Sequence, residues 1–268
     1  MNTISSFIKR NPLVTFFALA IGISWGSYYI LSGPFLFPLG SILAALIVAS
    51  VTTGKNGLKD LLSRCLRWNV GLKWYATALF VPAAIGLATV SLNVLFGAPM
   101  PTAAQLGPWY SLFLMFPVAI IDAPLWEETG WRGYALPRFS ADRSPLVNTL
   151  ILGVLLALWH LPIALSGGPL AIPYLLATLA SAVVTNWVYY NARESALLTI
   201  LYHSAGNALG IYFAPAFSGP DQARYFWLLA AVNIVAAALV VLLNGTTLQR
   251  QPIIQTRTAQ VDEPSTPG

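Results

Sequence analysis

Apolar residues in this chain come in long unbroken runs. They form neither the one-sided stripe of a surface helix nor the alternation of a half-buried strand. A window of about 19 residues picks out eight of them: Pro12–Leu31, Phe35–Thr53, Trp74–Phe96, Trp109–Trp126, Leu146–Leu165, Ala171–Tyr190, Ala196–Ala214 and Tyr225–Leu243. Each is close to the roughly 20 residues that cross a bilayer as helix. The pattern predicts an all-α, polytopic membrane helix bundle of about eight transmembrane helices, forming one transmembrane domain over residues 1–248. The stretch 249–268, with Pro252, Pro264 and Pro267, reads as a disordered cytoplasmic tail. Lys9 and Arg10 before the first run resemble the start of a secretory signal. The run itself exceeds the roughly 7–15 apolar residues of such a signal, so it reads as a retained helix.

Composition strengthens this picture. Apolar residues make up 57% of the chain and charged residues 9%, against about 25% charged in soluble domains. That excludes a disordered or fibrous chain. The net charge of +5 does not indicate nucleic acid, because no segment joins a basic cluster to a polar surface. The basic residues instead gather in alternate loops. With the N-terminus inside, every Lys and Arg except Arg224 lies on the inner side, so both termini are expected to be cytoplasmic. The outer connections Ser32–Pro34, Gly97–Pro108 and Ser166–Leu170 carry no charge. The Lys55–Trp74 loop mixes leucines with Lys55, Lys59, Arg64 and Arg67, as an interfacial helix on anionic lipid does. The single Cys65 excludes an intramolecular disulfide and a Cys-based zinc cluster. The expected setting is the lipid bilayer, as a multi-pass integral protein, in the plasma membrane if the source is bacterial.

Ionisable groups within a span cost roughly 2.5–3.5 kcal/mol on insertion scales and mark function by default. They are Asp122, Glu127, Glu128 and Arg132 near the end of the fourth run, His160 in the fifth, and His203 with Asn207 in the seventh. On a continuing helix Glu127 and Glu128 point about 100° apart. Glu128 and Arg132 stand at i and i+4, suited to an ion pair. That makes Glu128–Arg132 a structural brace and leaves Glu127 as a general base or ligand. His203 and Asn207 share one helix face, one turn apart. His160 precedes Leu161-Pro162, where the missing proline N–H loosens the helix. Asp122 faces elsewhere, as a water-pocket residue.

Three motifs in order, Glu127-Glu128-x-x-x-Arg132, Leu156-x-x-x-His160 and His203-x-x-x-Asn207, resemble those of the CPBP intramembrane proteases (CAAX proteases and bacteriocin-processing enzymes, or Abi), which include type II CAAX prenyl endopeptidases. The resemblance covers about residues 109–210. Leu156 stands where that family usually has Phe, a change in packing and not in chemistry. The resemblance implies an endopeptidase cutting a membrane-associated peptide or protein. Glu127 with His160 would activate a water, His203 with Asn207 would stabilise the oxyanion, and Glu128 with Arg132 would hold the site together. Hydrolysis needs a base beside the water and donors aimed at the developing charge.

Family members are often labelled metalloproteases, and Glu127, His160 and His203 would form a zinc set. The sequence has no His-Glu-x-x-His helix, and Asn207 beside His203 suits an oxyanion hole, so a metal-free mechanism without cofactor is preferred over zinc. A non-proteolytic transporter or scaffold is the alternative. The inverted repeats a transporter would show are not seen. No residue reads out a prenyl group.

Overall fold

The computed structural model describes residues 3–30 and 36–249. The expected disordered tail beyond Gln249, the Ser32–Pro34 connection and the start of the second run at Phe35 lie outside the described residues. Among the described residues every regular element is helical. They run in the order α1 (Thr3–Arg10), α2 (Pro12–Ile30), α3 (Leu39–Thr53), α4 (Lys55–Cys65), α5 (Leu72–Leu95), α6 (Ala103–Leu106), α7 (Ser111–Asp122) and α8 (Pro124–Glu128). A π-helical segment (Thr129–Ala135) and a short turn (Leu136–Arg138) follow, then α9 (Pro145–Trp159), α10 (Leu161–Ser166), α11 (Ala171–Asn191), α12 (Ala196–Phe213) and α13 (Gly219–Asn244).

Helix therefore forms in all eight apolar runs, but not all are equal. Five stretches are long and apolar enough to cross a bilayer: Pro12–Ile30, Leu72–Leu95, Ala103–Asp122, Gly168–Asn191 and Gly219–Thr247. Leu39–Thr53 and Pro145–Trp159 are apolar but shorter. Helix α12 is continuous and carries the polar His203 and Asn207 within it. Large apolar side chains such as Phe80, Phe113 and Leu242 point outward, the outer surface expected in lipid, where only backbone hydrogen-bonded within its own helix is tolerated. This is an integral, multi-pass membrane protein.

Local chemistry sets the helix ends. The Ser144 side chain accepts from the Val147 N–H at 3.3 Å, with Pro145 in the first turn of α9. Ser195 does the same for Leu198 at the start of α12. Packing joins α2 to α3, α11 to α9 and α13, and α12 to α5 and α7. Phe16, Trp131 and Trp159 form a buried edge-to-face stack at centroid spacings of 5.5 and 5.6 Å. That stack locks α2, the π-helical segment and the end of α9 together.

Charges separate to opposite ends of the bundle. Arg64 of α4 pairs with Glu194 and, at 3.4 Å, with Asp60. Arg138 reaches Asp60 at 3.5 Å, and Arg193 donates to the Asn69 carbonyl at 3.0 Å. The basic loops thus meet at one end. Arg224 stands apart, near the start of α13, bonded to Asp221 at 2.7 Å and Asn93 at 2.8 Å. The Lys55–Trp74 loop forms helix α4, which buries Leu61 and exposes Leu62. At its end, burial pushes the Cys65 thiol up, opposed by its hydrogen bond to Thr129.

Candidate active site

The fourth run departs from the single helix expected of it. Ala123, at φ −143° and ψ −51°, breaks the path between α7 and α8. Pro124 supplies the cause, since it has no N–H to continue the ladder. Trp126 and Glu127 both return their N–H to the Ala123 carbonyl at 3.0 Å. After Glu128 the chain widens into the π-helical segment, a form that recurs at functional sites. Gly130 explains how this segment docks. A Cβ there would lie 2.6 Å from Ser41 Cβ, so only glycine lets α3 approach so closely. Ser41 also donates to the Trp126 carbonyl at 3.0 Å.

Glu128 is the hub of a buried network. Its Oε1 accepts from Arg132 Nη1 at 2.8 Å and from His203 Nδ1 at 3.0 Å. Arg132 Nε donates to Asn186 Oδ1 at 2.9 Å, and Asn186 Nδ2 donates to Thr149 Oγ1 at 3.0 Å. Glu128 is 1% exposed, Arg132 3% and Asn186 0%. Ions this deep need hydrogen-bond partners, which Arg132 and Glu128 Oε1 have, while Glu128 Oε2 is buried without one among the described residues. The ion pair expected from i, i+4 spacing is present. Sequence reasoning missed that Glu128 also holds His203, and that Asn186 and Thr149 complete the chain. Two polar residues, Thr185-Asn186, inside an apolar run were the available signal.

Glu127 stands in contrast. It is 5% exposed, yet among the described residues its carboxylate makes no hydrogen bond. Asn207 likewise has no side-chain hydrogen bond there. His160 lies in the break between α9 and α10, where its Nδ1 meets the Leu156 carbonyl at 2.9 Å. A carbonyl only accepts, so Nδ1 is the donor and the neutral ring leaves Nε2 unprotonated. Because the Leu156 main chain makes this bond, leucine in place of phenylalanine leaves it intact. The Trp25 indole donates to the Trp159 carbonyl at 2.9 Å, and the Tyr174 ring lies 5.7 Å from that of His160. Neither contact was foreseen.

One cavity of about 610 Å³ is lined by Glu127, Glu128, Arg132, His160, His203 and Asn207. Asp122 borders it as well. All six motif residues, from three separate parts of the chain, face this one space. Among the described residues no group of three or more His, Cys, Asp or Glu side chains is arranged to hold a metal ion. Glu127, His160 and His203 share the cavity without closing into such a set.

Residues 108–209 match the family described as type II CAAX prenyl endopeptidase Rce1-like, and every motif residue from Glu127 to Asn207 lies inside that stretch. The chain is similar to these proteases across its polar core. The CAAX prenyl protease 2 of Methanococcus maripaludis is 25% identical over 228 residues, which cover 75% of this chain and 83% of that protein. The likeness thus extends well beyond the motifs. Together with the membrane helices, this similarity supports a membrane protease.

Proposed function

We propose that the chain is an intramembrane endopeptidase that hydrolyses a peptide bond of a membrane-associated substrate by metal-free chemistry. The observation that carries this reading is the shared cavity lined by Glu127, His160, His203 and Asn207, with the side chains of Glu127 and Asn207 making no hydrogen bond among the described residues. Glu127 takes a proton from water while the water oxygen attacks the carbonyl carbon. His160, with Nδ1 engaged by Leu156, offers Nε2 as an acceptor that orients that water, and the protonated Glu127 then passes the proton to the leaving amine as the C–N bond breaks. The Asn207 amide donates to the developing oxyanion. His203 gives its Nδ1–H to Glu128, so its Nε2 donates to the oxyanion only when the ring is protonated, with Glu128 as counter-charge.

The relative's name points to prenylated CAAX peptides as the first substrates to try. Ile85, Leu209, Phe226 and Leu229 on the cavity wall suit an apolar substituent. The test is cleavage by purified protein of prenylated and unprenylated reporter peptides, wild type beside Glu127→Gln. Turnover by wild type that vanishes in Glu127→Gln supports the reading. Cleavage that persists in Glu127→Gln, or no cleavage of any membrane-associated reporter by wild type, refutes it.

A further inference from the structure

A second cavity of about 740 Å³ lies away from the active site, between α2, the turn after Arg138 and α9. Leu13, Phe17 and Ile21 of α2 face Leu155 of α9 across it. Ile21 is eight residues beyond Leu13. At 1.5 Å per residue the α2 wall from Leu13 to Ile21 runs about 12 Å, close to one leaflet of a hydrocarbon core roughly 30 Å thick.

The mouth is basic. Arg138 and Arg143 line it, and exposed Lys9 and Arg10 end α1 just before α2. Arg138 is partly occupied: it donates to the Tyr134 carbonyl at 2.8 Å and reaches Asp60 at 3.5 Å. Arg143 is exposed, and its guanidinium makes no hydrogen bond or ion pair among the described residues. The opposing charges are Asp60 and Asp142, the latter accepting the Ser140 hydroxyl at 3.0 Å. Four cations against two carboxylates leave a positive surplus at the end of an apolar groove.

We propose that this groove seats an anionic phospholipid, with one acyl chain between α2 and α9 and its phosphate at Arg143 and Arg138. Basic pockets between membrane helices attract anionic headgroups in this way. A zwitterionic lipid offers the same chains but sets its own cation among four others. The groove shares no lining residue with the active-site cavity, so the proposal does not depend on the proteolytic reading.

The experiment uses the purified full chain in detergent, examined by native mass spectrometry and thermal melting. Phosphatidylglycerol and phosphatidylcholine of identical chains are added separately, and inorganic phosphate is added alone. Phosphatidylglycerol should be retained in preference and should raise the melting temperature. Arg143→Gln should cut that preference about fivefold, the factor expected for one basic residue near an anionic lipid. Ala18→Trp, which fills the groove from an exposed position, should lower retention of both lipids. Equal retention of the two lipids by wild type would overturn the proposal, as would indifference to either substitution. A melting shift reproduced by inorganic phosphate alone would show a headgroup site without an acyl seat, and would overturn it too.

Discussion

His203 Nδ1 lies 3.0 Å from Glu128 Oε1, joining α12 to α8 through the same carboxylate oxygen that binds Arg132. One buried oxygen thereby sets both the position of a histidine ring and the balance of a buried cation. Among the described residues, neighbouring Glu127 has no such ties. Adjacent glutamates have been divided by geometry into a holding residue and one free to react.

That division predicts different fates for two conservative changes. Glu128→Gln removes a buried charge from Arg132, a break that costs about 3–5 kcal/mol in comparable pairs, and it loosens His203. Melting temperature and turnover should both fall. Glu127→Gln should melt near wild type yet lose turnover. Comparable melting shifts for the two variants would end the distinction.

Asn186 should act at a distance through Arg132. Asn186→Ala strips the acceptor of Arg132 Nε and the donor to Thr149. Leaving such a buried group unsatisfied costs about 1–3 kcal/mol. Because Arg132 also fixes Glu128, and Glu128 fixes His203, kcat per folded molecule should fall with KM little changed. A variant that is less stable but fully active per folded molecule would reduce Asn186 to a packing residue.

Gly130→Ala offers a steric test of the π-helical segment. Its new methyl meets Ser41 Cβ at 2.6 Å and Ser41 O at 2.8 Å. Backbone must shift, and overpacking of this kind typically costs about 1–3 kcal/mol. Ser41→Gly in the same chain should relieve part of the strain and restore some activity. A Gly130→Ala protein with unaltered melting and turnover would show that the close approach of α3 is not needed.

Metal-free chemistry makes its own forecast. Asn207→Ala should lower kcat by about 10²–10³ with little effect on KM, because the lost bond forms mainly in the transition state. Asn207→Asp should be at least as harmful, since it sets a negative charge where the oxyanion develops. Elemental analysis, with activity measured after exhaustive chelation and after zinc is restored, checks the rival. Near-stoichiometric zinc whose removal ends activity and whose return restores it would replace the proposed mechanism.

The grouping of basic loops at one end of the bundle bears on topology. Reporter fusions at the N-terminus, at Lys59 and after Gln249 should all report cytoplasm. An external signal from any of them would overturn the orientation.

Much of this architecture is legible along the chain, because burying backbone in lipid leaves helix as the available solution for a run such as Tyr225–Leu243. The ion pair of Glu128 with Arg132 is legible too, being a matter of spacing on one helix. So are the motif residues, since a charged or imidazole side chain stands out against an apolar run. The break at Ala123–Pro124 is harder to see. A proline is plain in the sequence, but whether it bends, ends or restarts a helix depends on what receives the freed backbone groups. The bonds from His203 to Glu128 and from Arg132 to Asn186 join residues 75 and 54 positions apart. No local pattern specifies such pairs. They arise because α8, α11 and α12 are packed around one cavity, and a buried polar atom there must take whichever partner the neighbouring helix presents.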